Sequence, residues 1–229
     1  MLERAYGYSI KGKNHIRNKM PNQDSYLVVN KNEYTLAVVC DGLGSKKHSR
    51  TASKRLCKII AKEVNQGLKS KKLNPIGLVE TVQKKFKKKI WPFNLSNCDT
   101  TCLFSLISQS SILMFQSGDG LNALVSDNEL IKCEVEEKDF TNETIAFGKS
   151  KRNNWKFKMI KKEENKSYKL LLCTDGLSED IIEDSTVELI NTLVDNISGK
   201  YKNNQFIKDT IDKWPNKYDG DDKTMVVIK

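Results

Sequence analysis

Four aspartates in this sequence are each followed directly by glycine: Asp41-Gly42, Asp119-Gly120, Asp175-Gly176 and Asp219-Gly220. With 15 aspartates and 12 glycines in 229 residues, chance pairing would give roughly one such step. The dipeptide is also the favoured turn of a two-residue β-hairpin, so any single one reads more readily as a turn. Three of the four, however, follow apolar runs: Leu36 to Cys40 before Asp41, Leu113 to Gly118 before Asp119, and Leu170 to Thr174 before Asp175. Carboxylates at strand ends are held rigidly and can converge from different strands. Glycine beside such an aspartate lets a backbone carbonyl or a ligand approach closely. Converging carboxylates repel one another, which raises their pKa values unless cations neutralise them. A donor set made only of oxygen selects hard cations, Mg²⁺ or Mn²⁺, which keep several waters and need few carboxylates each. The chemistry in outline is a hydrolytic metal site.

The elements that must position these carboxylates are mostly short strands. Segments rich in β-branched and apolar residues recur at Tyr26 to Val29, Tyr34 to Cys40, Thr101 to Ile107, Ile112 to Gln116, Asn122 to Ser126, Glu129 to Val135, Trp155 to Ile160, Tyr168 to Cys173 and Thr224 to Ile228. Ser49 to Gln66 and Pro75 to Ile90 carry apolar residues at helical spacing, and Pro75 suits a helix start near Asn74. Two further helices are expected at about Ser185 to Asn196 and Asn204 to Trp214. Short turns between strands favour antiparallel hairpins over strand-helix alternation. The expected fold is therefore α+β, with two antiparallel sheets packed face to face and helices outside. A single domain over 1–229 is expected, and the polar stretch Glu136 to Asn154, with Phe140, Ile145 and Phe147, reads as a mobile surface loop.

Composition narrows the setting. Of the six cysteines at 40, 57, 98, 102, 133 and 173 none forms a Cys-x-x-Cys pair, and His15 and His48 have no metal-type spacing. Cys40 and Cys173 end apolar runs, where a free thiol acts as a small hydrophobe. The first residues lack the apolar core of a secretory signal, and no apolar run approaches the ~18 residues of a membrane span. A cytoplasmic setting without membrane contact follows, and a monomer is expected. The net charge of +10 comes with lysine clusters at Lys46-Lys47, Lys69 to Lys72, Lys84-Lys85 and Lys87 to Lys89. Net charge speaks to solubility and non-specific attraction, and no aromatic-basic motif points to nucleic acid. A basic exterior favours phosphorylated substrates.

The ordered series Asn22-Gln23-Asp24-Ser25, Val39-Cys40-Asp41-Gly42-Leu43-Gly44, Thr100-Thr101, Ser117-Gly118-Asp119, Cys173-Thr174-Asp175-Gly176-Leu177 and Asp221-Asp222-Lys223-Thr224 closely resembles the metal-dependent protein phosphatase 2C family, over nearly the whole chain. The resemblance implies a four-layer α-β-β-α sandwich and hydrolysis of phosphoserine and phosphothreonine by a water bridging two Mg²⁺ or Mn²⁺ ions, with a third ion in bacterial members. It makes Asp41 the carboxylate shared by two ions, with the Gly42 carbonyl on one of them. Asp175 and Asp221 would hold the first ion, Asp24 would bind the second through its waters, and Asp119 with Asp175 would hold the third. The implied partner is a phosphorylated protein, with a partner kinase opposing it.

Departures accompany the matches. Where bacterial members carry a phosphate-gripping arginine five residues before the first aspartate, this chain has Lys19, with Arg17 two residues further back. Lysine binds phosphate as a point charge without the bidentate fork. Gly118-Asp119-Gly120-Leu121 stands where Gly-Asp-Ser-Arg is usual, Asp99 stands where glycine is common, and Leu43 occupies the place of the general-acid histidine of animal members. His15 is a candidate for phosphate binding or proton transfer, though a lone histidine in a polar loop more often has no such role. These departures support an alternative, a catalytically weak phosphoprotein-binding pseudophosphatase. Of the adjacent Asp221 and Asp222, the family spacing to Thr224 makes Asp221 the ligand and leaves Asp222 to bond the backbone of its turn.

Overall fold

The computed structural model describes residues 2–70, 73–133, 145–197, 203–215 and 220–229. Asp219 and the Phe140 part of the expected surface loop lie outside them. The strands in chain order are β1 (Ala5–Ile10), β2 (Ser25–Asn30), β3 (Tyr34–Cys40), β4 (Cys102–Ser108), β5 (Ser111–Ser117), β6 (Leu121–Ser126), β7 (Glu129–Lys132), β8 (Lys156–Lys161), β9 (Lys169–Cys173) and β10 (Lys223–Ile228). The helices are α1 (Lys13–Arg17), α2 (Ser49–Lys69), α3 (Pro75–Lys89), α4 (Asp175–Ser178), α5 (Thr186–Asn196) and α6 (Asn203–Asp212). All strand pairs are antiparallel, in two five-stranded sheets of order β1-β10-β9-β6-β7 and β2-β3-β4-β5-β8.

Alternation along each strand builds three apolar layers. In β3, Leu36, Val38 and Cys40 face α2 and α3, while Ala37 and Val39 face the other sheet. In β10, Val226 and Ile228 enter the same inter-sheet layer, and Met225 and Val227 face α5 and α6. Both faces of the central strands are thus covered, which is why β3, β6 and β10 are buried throughout. The layer order is helix, sheet, sheet, helix. Asn122 is buried among the apolar side chains and is fully used there, accepting from Ser105 and donating to the carbonyls of Phe104 and Phe115.

Three features differ from the sequence expectation. β1 was not expected because Ala5-Tyr6-Gly7-Tyr8-Ser9-Ile10 alternates weakly, yet it pairs along its length with β10. The described end of the expected surface loop is anchored rather than wholly on the surface: Lys149 and residues 151–153 are exposed, but Phe147 is fully buried in the helix-side layer, and its N–H donates to the Thr100 carbonyl at 2.8 Å. Finally, none of the three described Asp-Gly steps is a hairpin turn. The two-residue hairpin with positive φ at both central residues is Asp127-Asn128, between β6 and β7.

Phe115 sits at the centre of the helix-side layer, with ring centroids 5.0 Å from Phe104 and Phe157 and just over 6 Å from Phe147 and Trp155. Phe115→Ala is expected to lower unfolding free energy by about 3–5 kcal/mol in urea titration. Met159→Ala, at a side chain 57% exposed, is expected to stay within about 0.5 kcal/mol.

Candidate metal centre

Antiparallel register collects the carboxylates. Ser25 pairs with Cys40, Cys102 with Ser117, and both Leu121 and Met225 with Cys173. The ends of β3, β5 and β9 and the starts of β2, β4 and β10 therefore lie at one end of the sandwich. Asp24 precedes β2, Asp41 follows β3, Asp119 lies between β5 and β6, Asp175 opens α4 after β9, and Asp221 precedes β10.

Hydrogen bonds hold this end in shape. Thr101 Oγ1 accepts the Asp41 N–H at 2.9 Å, and Thr100 Oγ1 donates to the Asp41 carbonyl at 2.5 Å. Thr174 and Thr224 hydroxyls both donate to Asp24 Oδ2, at 2.9 and 2.8 Å. Asp222 turns inward: it accepts from the N–H groups of Gly12 at 2.7 Å and Gln23 at 2.6 Å, and its Oδ2 lies 2.8 Å from His15 Nδ1. With the imidazole as the donor in that contact, Asp222 pins the α1 loop and the residue before Asp24 to its own turn. Glycine is required at two of these crossings. A Cβ on Gly42 would lie 2.7 Å from the Gln23 carbonyl oxygen, and one on Gly176 would lie 2.2 Å from that of Asp222.

One carboxylate oxygen from each of Asp41, Asp119 and Asp175 lies within 4.8 Å of the others. The Asp24 and Asp41 carboxyls are within hydrogen-bonding reach of each other, and Asp221 is close enough to act electrostatically on both Asp41 and Asp175. Burial, then the neighbouring charges of Asp24 and Asp175, pushes Asp41 well above the usual carboxylate range. Burial is also the leading cause for Asp24, pushed up to about 7, and for Asp175, pushed up to about 6, the latter with the charges of Asp119 and Asp221 adding to it. No cationic side chain is among the largest influences on these three groups. Beside them a cleft of about 250 Å³ is lined by Asn14, Asp175, Gly176, Glu179, Asp180, Gly220 and Asp221. Buried and semi-buried carboxylate oxygens crowded on one another, open to a small acidic cleft, fit hard divalent cations.

The geometry brings together Asp24, Asp41, Asp119, Asp175 and Asp221, with Gly42 buried beside Asp41 and bridged to Thr100. Lys19 lies exposed after α1, with φ of 53° and its N–H on the Ile16 carbonyl. The hydroxyls on Asp24 and the lining role of Asn14 were not read from sequence. Their signal was faint, a threonine next to Asp175 and a polar residue ten positions before Asp24.

The model of the family described as Protein phosphatase 2C matches residues 11–213. The chain belongs to that family. No curated protein matches it in sequence. Among solved structures it is similar to PppA, described as a key regulatory component of T6SS in Pseudomonas aeruginosa, at 13% identity and TM-score 0.69, covering 100% of this chain and 98% of that one. It is also similar to RsbX in complex with magnesium, at 15% identity and TM-score 0.65, covering 99% and 94%. The catalytic domain of the serine threonine protein phosphatase PstP with two manganese ions follows at 16% identity and TM-score 0.62, covering 100% and 98%. At these identities the likeness is one of fold, and that fold is the two-sheet sandwich described above.

Two predictions follow from the electrostatics. The folded carboxylates keep protons that the unfolded chain, with ordinary values near 3.8, has already released. Their contribution to metal-free stability is therefore full below about pH 4 and is lost as pH rises to about 7. Calorimetric melting should show the rise in Tm given by Mn²⁺ growing between pH 5.5 and 7.5. Asp222→Asn, which sets an amide N–H₂ against backbone N–H groups, should cost about 1–3 kcal/mol of folding stability. Asp221→Asn, on an exposed side chain, should leave metal-free Tm nearly unchanged and shrink the Mn²⁺ response.

Proposed function

We propose that residues 1–229 form one catalytic unit that hydrolyses phosphoserine and phosphothreonine in proteins, using two Mg²⁺ or Mn²⁺ ions with room for a third. The observation that carries this reading is the convergence of Asp24, Asp41, Asp119, Asp175 and Asp221 at one end of the sandwich, with pKa values raised by burial and mutual repulsion. Asp41 would be shared by two ions, with the Gly42 carbonyl on one of them, Asp175 and Asp221 on the first, Asp24 on the waters of the second, and Asp119 with Asp175 on the third. Ions held there would supply an activated water and offset charge on the phosphoryl group. Two structural neighbours were solved with magnesium or manganese, which supports this choice.

The chain's own residues do the positioning. Thr100 and Thr101 fix the Asp41 backbone from both sides. Thr174 and Thr224 hydroxyls, both on Oδ2, hold Asp24 in one orientation beside Asp41. Lys19, with Arg17, is assigned the phosphate, because these cations precede Asp24 in the place where the family carries its clamp. A cytoplasmic phosphoprotein, opposed to a partner kinase, is the proposed substrate, acted on by a monomer without membrane or nucleic acid. Among the described residues no helix is long and apolar enough to cross a membrane. The second reading, a phosphoprotein-binding pseudophosphatase, is favoured by the exposed Lys19 standing in place of arginine.

An aryl phosphate assay tests the proposal. Turnover should vanish on chelation and return with Mn²⁺ or Mg²⁺, and Asp41→Asn should abolish it in folded protein. Turnover by chelated protein shown to be metal-free would rule out the mechanism. Lys19→Ala should raise KM more than it lowers kcat, and Lys19→Arg should preserve or improve activity. Absence of turnover together with tight phosphopeptide binding would favour the second reading.

A further inference from the structure

A groove of about 550 Å³ runs between α3 and residues 149–155, apart from the carboxylate cleft. Its rim carries Lys84, Lys87, Lys149, Lys151 and Arg152 against a single carboxylate, Glu80, which is already paired with Arg152. Lys84, Lys149 and Lys151 are exposed, and among the described residues no ion pair engages Lys84 or Lys151. The floor is built rather than loose. Gln83 Nε2 donates to the carbonyls of Phe147 at 2.8 Å and Ser150 at 2.9 Å, and Trp155 Nε1 donates to Ser150 Oγ at 2.8 Å. A preformed groove with excess positive charge attracts anionic groups and loses little order on binding them.

Its near end is tied to the metal-site loop. Gly148 N–H donates to Asp99 Oδ1 at 2.9 Å, Phe147 N–H to the Thr100 carbonyl at 2.8 Å, and Thr100 Oγ1 to the Asp41 carbonyl. This short chain of contacts places Lys149 within roughly 20 Å of Asp41, a span that about six extended residues cover. An anionic polypeptide suits the groove better than nucleic acid, because Trp155 is 8% exposed and the lining offers no open ring on which a base can stack.

We propose that this groove binds acidic side chains of the substrate polypeptide, about four to six positions along the chain from the phosphorylated residue presented to the carboxylate cluster. The inference rests on the phosphatase reading and adds to it the substrate class, phosphoproteins with an acidic stretch beside the phosphosite. Exposed cations on a fixed floor select by charge, so the selection acts on KM and weakens with salt.

Two phosphopeptides test it, identical except for Glu or Ala at positions four to six from the phosphoserine, with wild-type protein and the Lys84→Glu/Lys151→Glu variant. Wild type should show a KM about three- to tenfold lower for the acidic peptide. The charge-reversed variant should lose that preference while its aryl phosphate turnover stays unchanged. Binding of the same peptides by fluorescence anisotropy is read without turnover, so an inactive protein would count against the phosphatase reading while the groove is still tested. Equal affinity of wild type for both peptides, preference retained in the variant, or tighter binding of a single-stranded RNA of equal charge would overturn the proposal.

Discussion

Burial of several carboxylates at one end of the sandwich is the constraint around which the rest of this molecule is arranged. Asp24, Asp41 and Asp175 are raised by burial before anything else, and each then feels another carboxylate. Antiparallel pairing forces them together, because every strand that ends beside the cluster is answered by one that starts there. A fold resists such crowding only when the backbone carrying the charges cannot move apart. Here three sets of bonds prevent that: the two threonines gripping Asp41, the two hydroxyls on Asp24, and Asp222 anchoring three separate turns.

The sandwich was legible where apolar residues alternate or repeat. β3 runs over the residues expected from Tyr34 to Cys40, and α3 starts at Pro75 behind an Asn74 side chain that accepts the Ile76 N–H. β1 and α1 were not legible, since their pairing is set by distant partners, β10 for the one and the Gly220 carbonyl on Asn14 N–H for the other. The Asp-Gly excess was a true pointer, yet its cause was visible only in three dimensions. Gly42 and Gly176 face neighbouring carbonyls too closely for any side chain. The inward place of Asp222 could be read from register, because it shares the parity of Thr224, Val226 and Ile228, and the latter two lie in the inter-sheet layer. Lys19 illustrates the reverse case. Its position in the chain suggested a clamp, while its exposed turn is set by α1 ending two residues earlier.

The charge of the chain is divided between two kinds of surface. The cleft at the cluster gathers Glu179 and Asp180 beside Asp175 and Asp221, so it attracts cations and repels a bare phosphate. The α3 groove carries the opposite sign. A phosphorylated polypeptide spanning the two would meet cations along its acidic stretch and reach the cleft only where metal ions have reversed the local sign. Under the proposed reading, that division gives the net charge of +10 a use beyond solubility.

On this account the raised carboxylates are a cation site held partly protonated by burial first and by neighbouring carboxylates second. Titration calorimetry with Mn²⁺ at pH 6.0, in two buffers of different ionisation enthalpy, tests it most directly by counting protons released on binding. The account predicts binding that expels about one proton or more per chain, with the count falling as pH rises past 7. Binding without proton release at pH 6.0, or no binding at all to folded protein, would contradict it.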